Sequence, residues 1–341
     1  MNAKRLTPVL ALLSLAAFCR AGQAPKERAT LPNLPGDVRS VVFSPDGKWI
    51  AVCTGVKIVL WEWESSKAPA EPMDGGVGAS FSNDGSLLAF QGQDETFNDG
   101  LMIWDLAAKK KKLFIQDDNI QSPIFSPDGK KISAAVGSIV KTWELATGAE
   151  LPAMKDGHKC SINAIRYVAD GKMLVSADSK GTICGWDTAD ATKKTEYKRD
   201  NNEAPIQALA GTRTGKIIAA STGDGKILIL DATTLTLAGM MDGHKDGLRV
   251  KSVAFAADDK LLASACSGLE DLDLKLWDAV ARKLLVSFTP HAGACNCVAF
   301  SPDSKWIATG SDDKSVKVWE VASIFAANAP KPEKKKEPEK N

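Results

Sequence analysis

Three histidines, His158, His244 and His291, are the whole imidazole supply of this 341-residue chain. Imidazole is the side chain best suited to proton transfer and zinc ligation near neutral pH, so His-based chemistry has little to draw on. Carboxylates stand in adjacent pairs at Asp94-Glu95, Asp117-Asp118 and Glu270-Asp271. Such pairs can hold calcium or serve as acid and base, but no regular calcium-loop spacing accompanies them, and solvated turns account for them equally simply. Seven cysteines, Cys19, Cys53, Cys160, Cys184, Cys266, Cys295 and Cys297, include no Cys-x-x-Cys pair. A structural zinc site needs four convergent ligands. Cys295 and Cys297, two residues apart on one strand, do not suit an unstrained disulfide. The thiols read as free, several of them as small buried hydrophobes. No glycine-rich phosphate loop follows a strand and opens a helix. The expectation is therefore no catalytic residues, no metal and no cofactor.

The elements that must position these residues announce themselves by repetition. FSPDGKWIA starts at Phe43 and FSPDSKWIA at Phe300, with FSPDGKKIS at Phe125 and FSNDGSLLA at Phe81. Degenerate copies start at Tyr167, Gly211 and Phe255. About eighteen residues after each comes an apolar-x-apolar-Trp-Asp/Glu phrase, with tryptophans at Trp61, Trp104, Trp143, Trp186, Trp277 and Trp319; Leu230 fills the one missing slot. The mean interval is 43 residues. Each unit alternates apolar and polar residues between turn signals, which predicts strand–turn–strand–turn–strand. Pro presets φ in the turn and Asp bonds its own backbone. The period therefore predicts an all-β, antiparallel chain.

On these phrases, and on Gly157-His158, Gly243-His244 and Pro290-His291 before first strands, the chain resembles the WD-repeat family of β-propellers, of a secreted, bacterial style, over residues 28–322. The resemblance implies a seven-bladed β-propeller of four-stranded antiparallel blades, the last blade closed by an N-terminal strand near Glu27 to Asn33. It also implies a chain of hydrogen bonds from Trp through Ser/Thr and His to Asp. The matching residues are Trp319, Thr309, His291 and Asp313 in blade seven, and Trp277, Ser264, His244 and Asp271 in blade six. In blade four they are Trp186, Ser176 and His158; Lys180 stands where Asp is expected there, with Asp178 as the alternative. All three histidines are then structural. Blades one, two, three and five lack this His and are expected to be looser. Trp63, just past the first Trp-Glu, is expected to be half exposed.

The ends differ from the middle. Lys4 and Arg5, an apolar run from Leu6 to Phe18 and small residues to Ala24 read as a signal peptide over 1–22, too short to span a membrane. This predicts export to the periplasm or outside the cell, with a lipoprotein on Cys19 disfavoured by Phe18. Residues 323–341, rich in Pro, Lys and Glu, are expected to be disordered. The propeller itself is assigned to 27–322.

Function then rests on surfaces. The net charge is only +1, which does not suit a general nucleic-acid binder. Family members bind peptides at the top of the channel. Aligning the units places Arg39, Val77, Gln121, Asn163, Gln207, Lys251 and Asn296 there, and of these Arg39, Gln121, Asn163, Gln207, Lys251 and Asn296 are the expected partner-binding set. The ring is polar and carries no aromatic anchor, so a polar or acidic peptide is the expected ligand. The expectation is a monomeric, non-enzymatic scaffold for a protein or peptide partner. A propeller hydrolase or lyase using channel carboxylates, and an intracellular scaffold with an uncleaved N-terminus, are the alternatives; carbohydrate binding would need exposed aromatics.

Overall fold

The computed structural model describes residues 25–65, 69–199, 204–242, 244–268 and 270–328. Seven antiparallel sheets follow one another along the chain. Their innermost strands are Ser40–Phe43, Ala79–Phe81, Ile120–Phe125, Ile162–Val168, Ile206–Gly211, Val250–Phe255 and Cys295–Phe300. Each innermost strand packs beside the next, and Ser40–Phe43 packs against Cys295–Phe300, so the sheets close into a ring. The last blade adds Trp306–Ser311 and Val316–Glu320, and Glu27–Leu31 forms its outer strand against Val316–Glu320. Joining the two ends of the chain in one sheet completes that blade, as the repeat count required, and leaves Glu27–Leu31 as its outer strand.

The turn phrase explains why each hairpin starts where it does. The Ser44 hydroxyl donates to the Asp46 carboxylate at 2.5 Å and accepts the Trp49 amide at 2.9 Å. Ser82, Ser126 and Ser301 repeat this with Asp84, Asp128 and Asp303. The third residue after the serine takes positive φ, as glycine at Gly47 (74°) and as Ser304 (60°) in the last blade, a conformation that glycine adopts without steric cost.

Inward-facing Val, Ile, Leu and Ala fill the spaces between neighbouring blades. Blade five, expected to be loose for want of Trp and His, is instead dense: Leu230 is fully buried with Val168, Ile183 and Ile218. A leucine in the tryptophan slot keeps the apolar contact and removes the need for an N–H partner. The early blades are the irregular ones. The outer strand of blade one is only Met73–Asp74. In blade three the fourth position is held by two bridges, Val140 to Met154 and Trp143 to Glu150.

Two further expectations need correction. Trp63 is buried, not half exposed: its indole N–H donates to the Gly47 carbonyl at 2.8 Å, and its ring meets Phe43 and Trp306 edge-on. Its apolar body fills the junction of blades one and seven, leaving no exposed aromatic there for a sugar. Residues 323–328, assigned by composition to the tail, continue a short helix, Val321–Ala327, whose Ile324 is fully buried against blade seven. Two apolar residues spaced three apart were enough to anchor it. The rest of the tail, and the N-terminal segment on which the signal peptide was read, lie outside the described residues.

Candidate functional site

All three histidines sit at blade starts, are buried, and use both ring nitrogens. In blade four the Trp186 indole donates to Ser176 Oγ at 2.7 Å, the Ser176 hydroxyl meets His158 Nε2 at 2.6 Å, and His158 Nδ1 meets Asp178 Oδ2 at 2.9 Å. Blade six runs Trp277, Ser264, His244, Asp271 at 2.9, 2.7 and 3.2 Å. Blade seven runs Trp319, Thr309, His291, Asp313 at 3.0, 2.8 and 3.0 Å. Carboxylates only accept, so each imidazole donates from Nδ1 and accepts at Nε2. A chain satisfied at every link stabilises a core, whereas a broken one costs it. Such imidazoles have no free nitrogen for a substrate.

One cluster in this set could superficially hold a metal: His244, Cys266 and Asp271 bring their ligand atoms within 4.8 Å of one another. The atoms are already engaged. Both His244 nitrogens are bonded, and Asp271 Oδ2 also meets the Lys275 ammonium at 2.9 Å and the Lys245 amide at 3.0 Å. Burial pushes the Cys266 thiol up, away from the thiolate that binds metal. The cluster is a structural network.

The enlarged acidic turns behave likewise. Asp94 Oδ1 accepts the Thr96 hydroxyl at 2.8 Å, the Asn98 amide at 3.0 Å and the Thr96 amide at 2.8 Å, and these bonds, the hydroxyl first, hold its carboxyl down at about 2. Asp273 accepts the hydroxyls of Ser287 and Thr289. Asp94 folds its own turn, and Asp273 ties its turn to the outer strand Lys283–Phe288. The six described cysteines are free thiols; burial pushes Cys53 and Cys184 up to about 12.

The top ring has a more open chemistry. Arg39 and Gln121 are exposed, and Asn163, Gln207 and Lys251 are half-buried. Asn296, expected to contact a partner, is only 3% exposed. Its amide NH2 donates to the Val38 carbonyl at 3.1 Å and to Asp312 at 2.5 Å, and its Oδ1 accepts from the Lys251 ammonium at 3.1 Å. Asn163 is similarly tied, donating to the Ile206 carbonyl at 2.8 Å. These two asparagines hold neighbouring blades in place. Lys251 is brought near Arg39 and near Arg249, a residue that alignment of the units alone did not single out because it precedes the strand. Burial first, then the positive charges of Arg39 and Arg249, hold the Lys251 ammonium below its ordinary range, against Asp312. The charges of Arg39, Arg249 and Lys251 thus act on one another, with Asp37 paired to Arg39 and Asp312 acting on Lys251.

Four stretches, 27–56, 150–187, 235–278 and 282–320, match the family model for the WD domain, G-beta repeat. The chain is 23% identical over 277 residues to a serine-threonine kinase receptor-associated protein of Gallus gallus, covering 81% of this chain and 70% of that protein. It is 26% identical over 227 residues to periodic tryptophan protein 2 of Arabidopsis thaliana, covering 65% of this chain but only 24% of that protein. A target of rapamycin complex subunit, wat1 of Schizosaccharomyces pombe, is 23% identical over 245 residues, 70% of this chain and 75% of that protein. These relatives are intracellular proteins of eukaryotes, which overturns both the expectation of export and the likeness to a secreted, bacterial-style member. The export reading rested on a 13-residue apolar run after two cations. A signal peptide and an ordinary apolar first helix share that feature.

Proposed function

We infer that this chain, a WD40-repeat propeller, is a rigid, non-enzymatic scaffold that binds a protein or peptide partner at the top of its channel. The reading is carried by the histidines, each closed into a structural network, and is supported by the mutual repulsion of Arg39, Arg249 and Lys251 around positions that alignment of the units assigns to the ring. The polar, cationic ring fits an acidic or polar peptide, with Arg39, Lys251, Gln121 and Gln207 as the contacting residues and Asn163 and Asn296 as the residues that position them. Relatives described as receptor-associated and as a complex subunit favour a protein partner over a small substrate. The near-neutral chain does not suit nucleic acid. A ring that closes within one chain needs no second copy to complete it, which favours a monomer.

The test is the double variant Arg39→Glu, Lys251→Glu, read by fluorescence anisotropy with a labelled ten-residue glutamate-rich peptide. Wild-type binding that weakens at least tenfold in the variant supports the assignment. Unchanged binding removes it, and turnover of a small molecule by the purified protein sinks the scaffold reading altogether.

A further inference from the structure

Five of the six third-strand tryptophans are buried, and Trp104 of blade two is not. The missing histidine does not set blade two apart, since blades one and three lack it too and bury Trp61 and Trp143; its neighbour does. The outer strand of blade one, Met73–Asp74, is two residues long and pairs only with Lys57 and Ile58. The interface between blades one and two therefore gapes on its outer side into a cleft of about 1020 Å³.

The floor of the cleft is apolar: Trp49, Leu60, Met73, Phe90, Met102 and Trp104. Its rim is acidic. Six carboxylates, Glu71, Asp84, Asp94 and Glu95 among them, face two lysines, Lys109 and Lys111. Lys111 is already paired with Glu95 at 3.0 Å. Phe97, 82% exposed, stands on the turn at the upper end. The cleft follows the seven-residue strand Leu87–Gln93 from the turn at Asp84 to the turn at Asp94. At about 3.3 Å per residue that is a little over 20 Å. The volume lies at the top of the ~300–1,000 Å³ range of small-ligand pockets, so length and size both favour an extended chain over a small molecule.

We propose that this cleft is a second docking site, for an extended peptide segment of a partner that carries apolar side chains on one face and Lys or Arg at its ends. The apolar side chains would cover Trp104, Leu60 and Met73, and the cations would meet Glu71 and the Asp94–Glu95 turn. Apolar anchors in a desolvated groove supply binding energy, and the charged rim supplies orientation and rate. The site is separate from the top ring and independent of the reading given above for that surface.

The experiment uses the full chain and a fluorescein-labelled nine-residue peptide, leucine at alternate positions and lysine at both ends. Two companion peptides carry glutamate for lysine and serine for leucine. Saturable binding of the first peptide, with both companions at least tenfold weaker, is expected. Glu71→Lys, Glu95→Lys, a pair of exposed substitutions that leave the fold alone, should weaken the first peptide at least tenfold. Met73→Asp, checked for an unchanged thermal transition, should do the same. Arg39→Glu, Lys251→Glu should leave it unchanged, which separates this site from the top ring. The proposal is overturned if the first peptide does not bind, if the cleft variants bind it like wild type, or if only the top-ring variant loses it. Binding that emerges only after residues 1–24 are removed would assign the cleft to the chain's own N-terminal segment. Dimerisation abolished by Met73→Asp would assign it to a second copy. Either result also overturns the partner proposal.

Discussion

Asp178 meets His158 at 2.9 Å from the end of the second strand, two residues before the turn position from which Asp313 meets His291 at 3.0 Å. The two carboxylates do the same work in different surroundings. Asp178 also accepts the amides of Lys180 and Thr182 at 2.9 Å each, and its side chain is 2% exposed. Asp313 is 21% exposed, and Ser315 Oγ lies 3.2 Å from the same nitrogen of His291. His291 thus has a second partner, and its carboxylate is partly exposed; among the described residues Asp178 is the hydrogen-bond partner of His158 Nδ1.

Asp178→Ala should therefore cost more than Asp313→Ala. Stranding a buried polar group costs about 1–3 kcal/mol, and the two variants should fall near the upper and lower ends of that range. Urea unfolding of both proteins measures the difference. Equal losses would mean that the network, and not the local alternatives, sets the cost.

Acid should destabilise the protein in two stages. Burial lowers His244 and His291 from their ordinary value of 6.5, with Asp271 and Asp313 pulling the other way. The unfolded chain then binds protons that the folded one does not, and stability falls as pH drops below about 6.5. Each histidine contributes at most about 1.4 kcal/mol per pH unit in that window. Burial works upward on Asp271 and Asp313, but hydrogen bonds, from His244 and Lys275 to Asp271 and from Ser315 and His291 to Asp313, outweigh it and hold both carboxyls below 3.8. Their stabilisation is present above that value and is lost on further acidification. Unfolding free energies between pH 7.5 and 5 should slope downward toward acid. The slope should flatten in His244→Gln, His291→Gln; an unaltered slope in that variant would place its origin elsewhere.

The parts of this architecture that were legible in the sequence are those that repeat. Seven turn phrases and six Trp-Asp/Glu phrases marked the repeating strands, because each encodes a local hydrogen-bond pattern; the closing strand and the three networks followed from the family resemblance that the phrases carry, with Asp178 only an alternative in blade four. What was hidden depends on neighbours distant in sequence. Asn296 reads as a surface polar residue until Val38, 258 positions away, is seen to accept its amide. Trp63 reads as exposed because its partners, Gly47 and Trp306, come from a turn and from the far end of the chain. Arg249 joins Lys251 and Arg39 only when the ring closes. The cleft beside Trp104 arises from a missing pairing, and a gap in packing has no sequence phrase of its own.

Closure itself can be tested at Gly310. A Cβ at this position would stand 2.3 Å from Val38 Cγ1 and 2.7 Å from Cys297 Sγ. Val38 is fully buried where the chain passes from the closing strand into blade one, and its amide donates to the Ser311 carbonyl at 3.1 Å. Gly310→Ala therefore overpacks the seam between the last blade and the first and should cost about 1–3 kcal/mol. Val38→Ala should also destabilise, by removing buried methyl groups. Combining the two relieves the clash, because the methyl added at residue 310 takes the space vacated at residue 38. The double variant should thus lose less than the sum of the single losses, by about 0.5–3 kcal/mol of coupling. Chemical denaturation of the four proteins closes the cycle. Strict additivity would mean that residues 38 and 310 do not meet, and that the seam is packed differently from the structure described here.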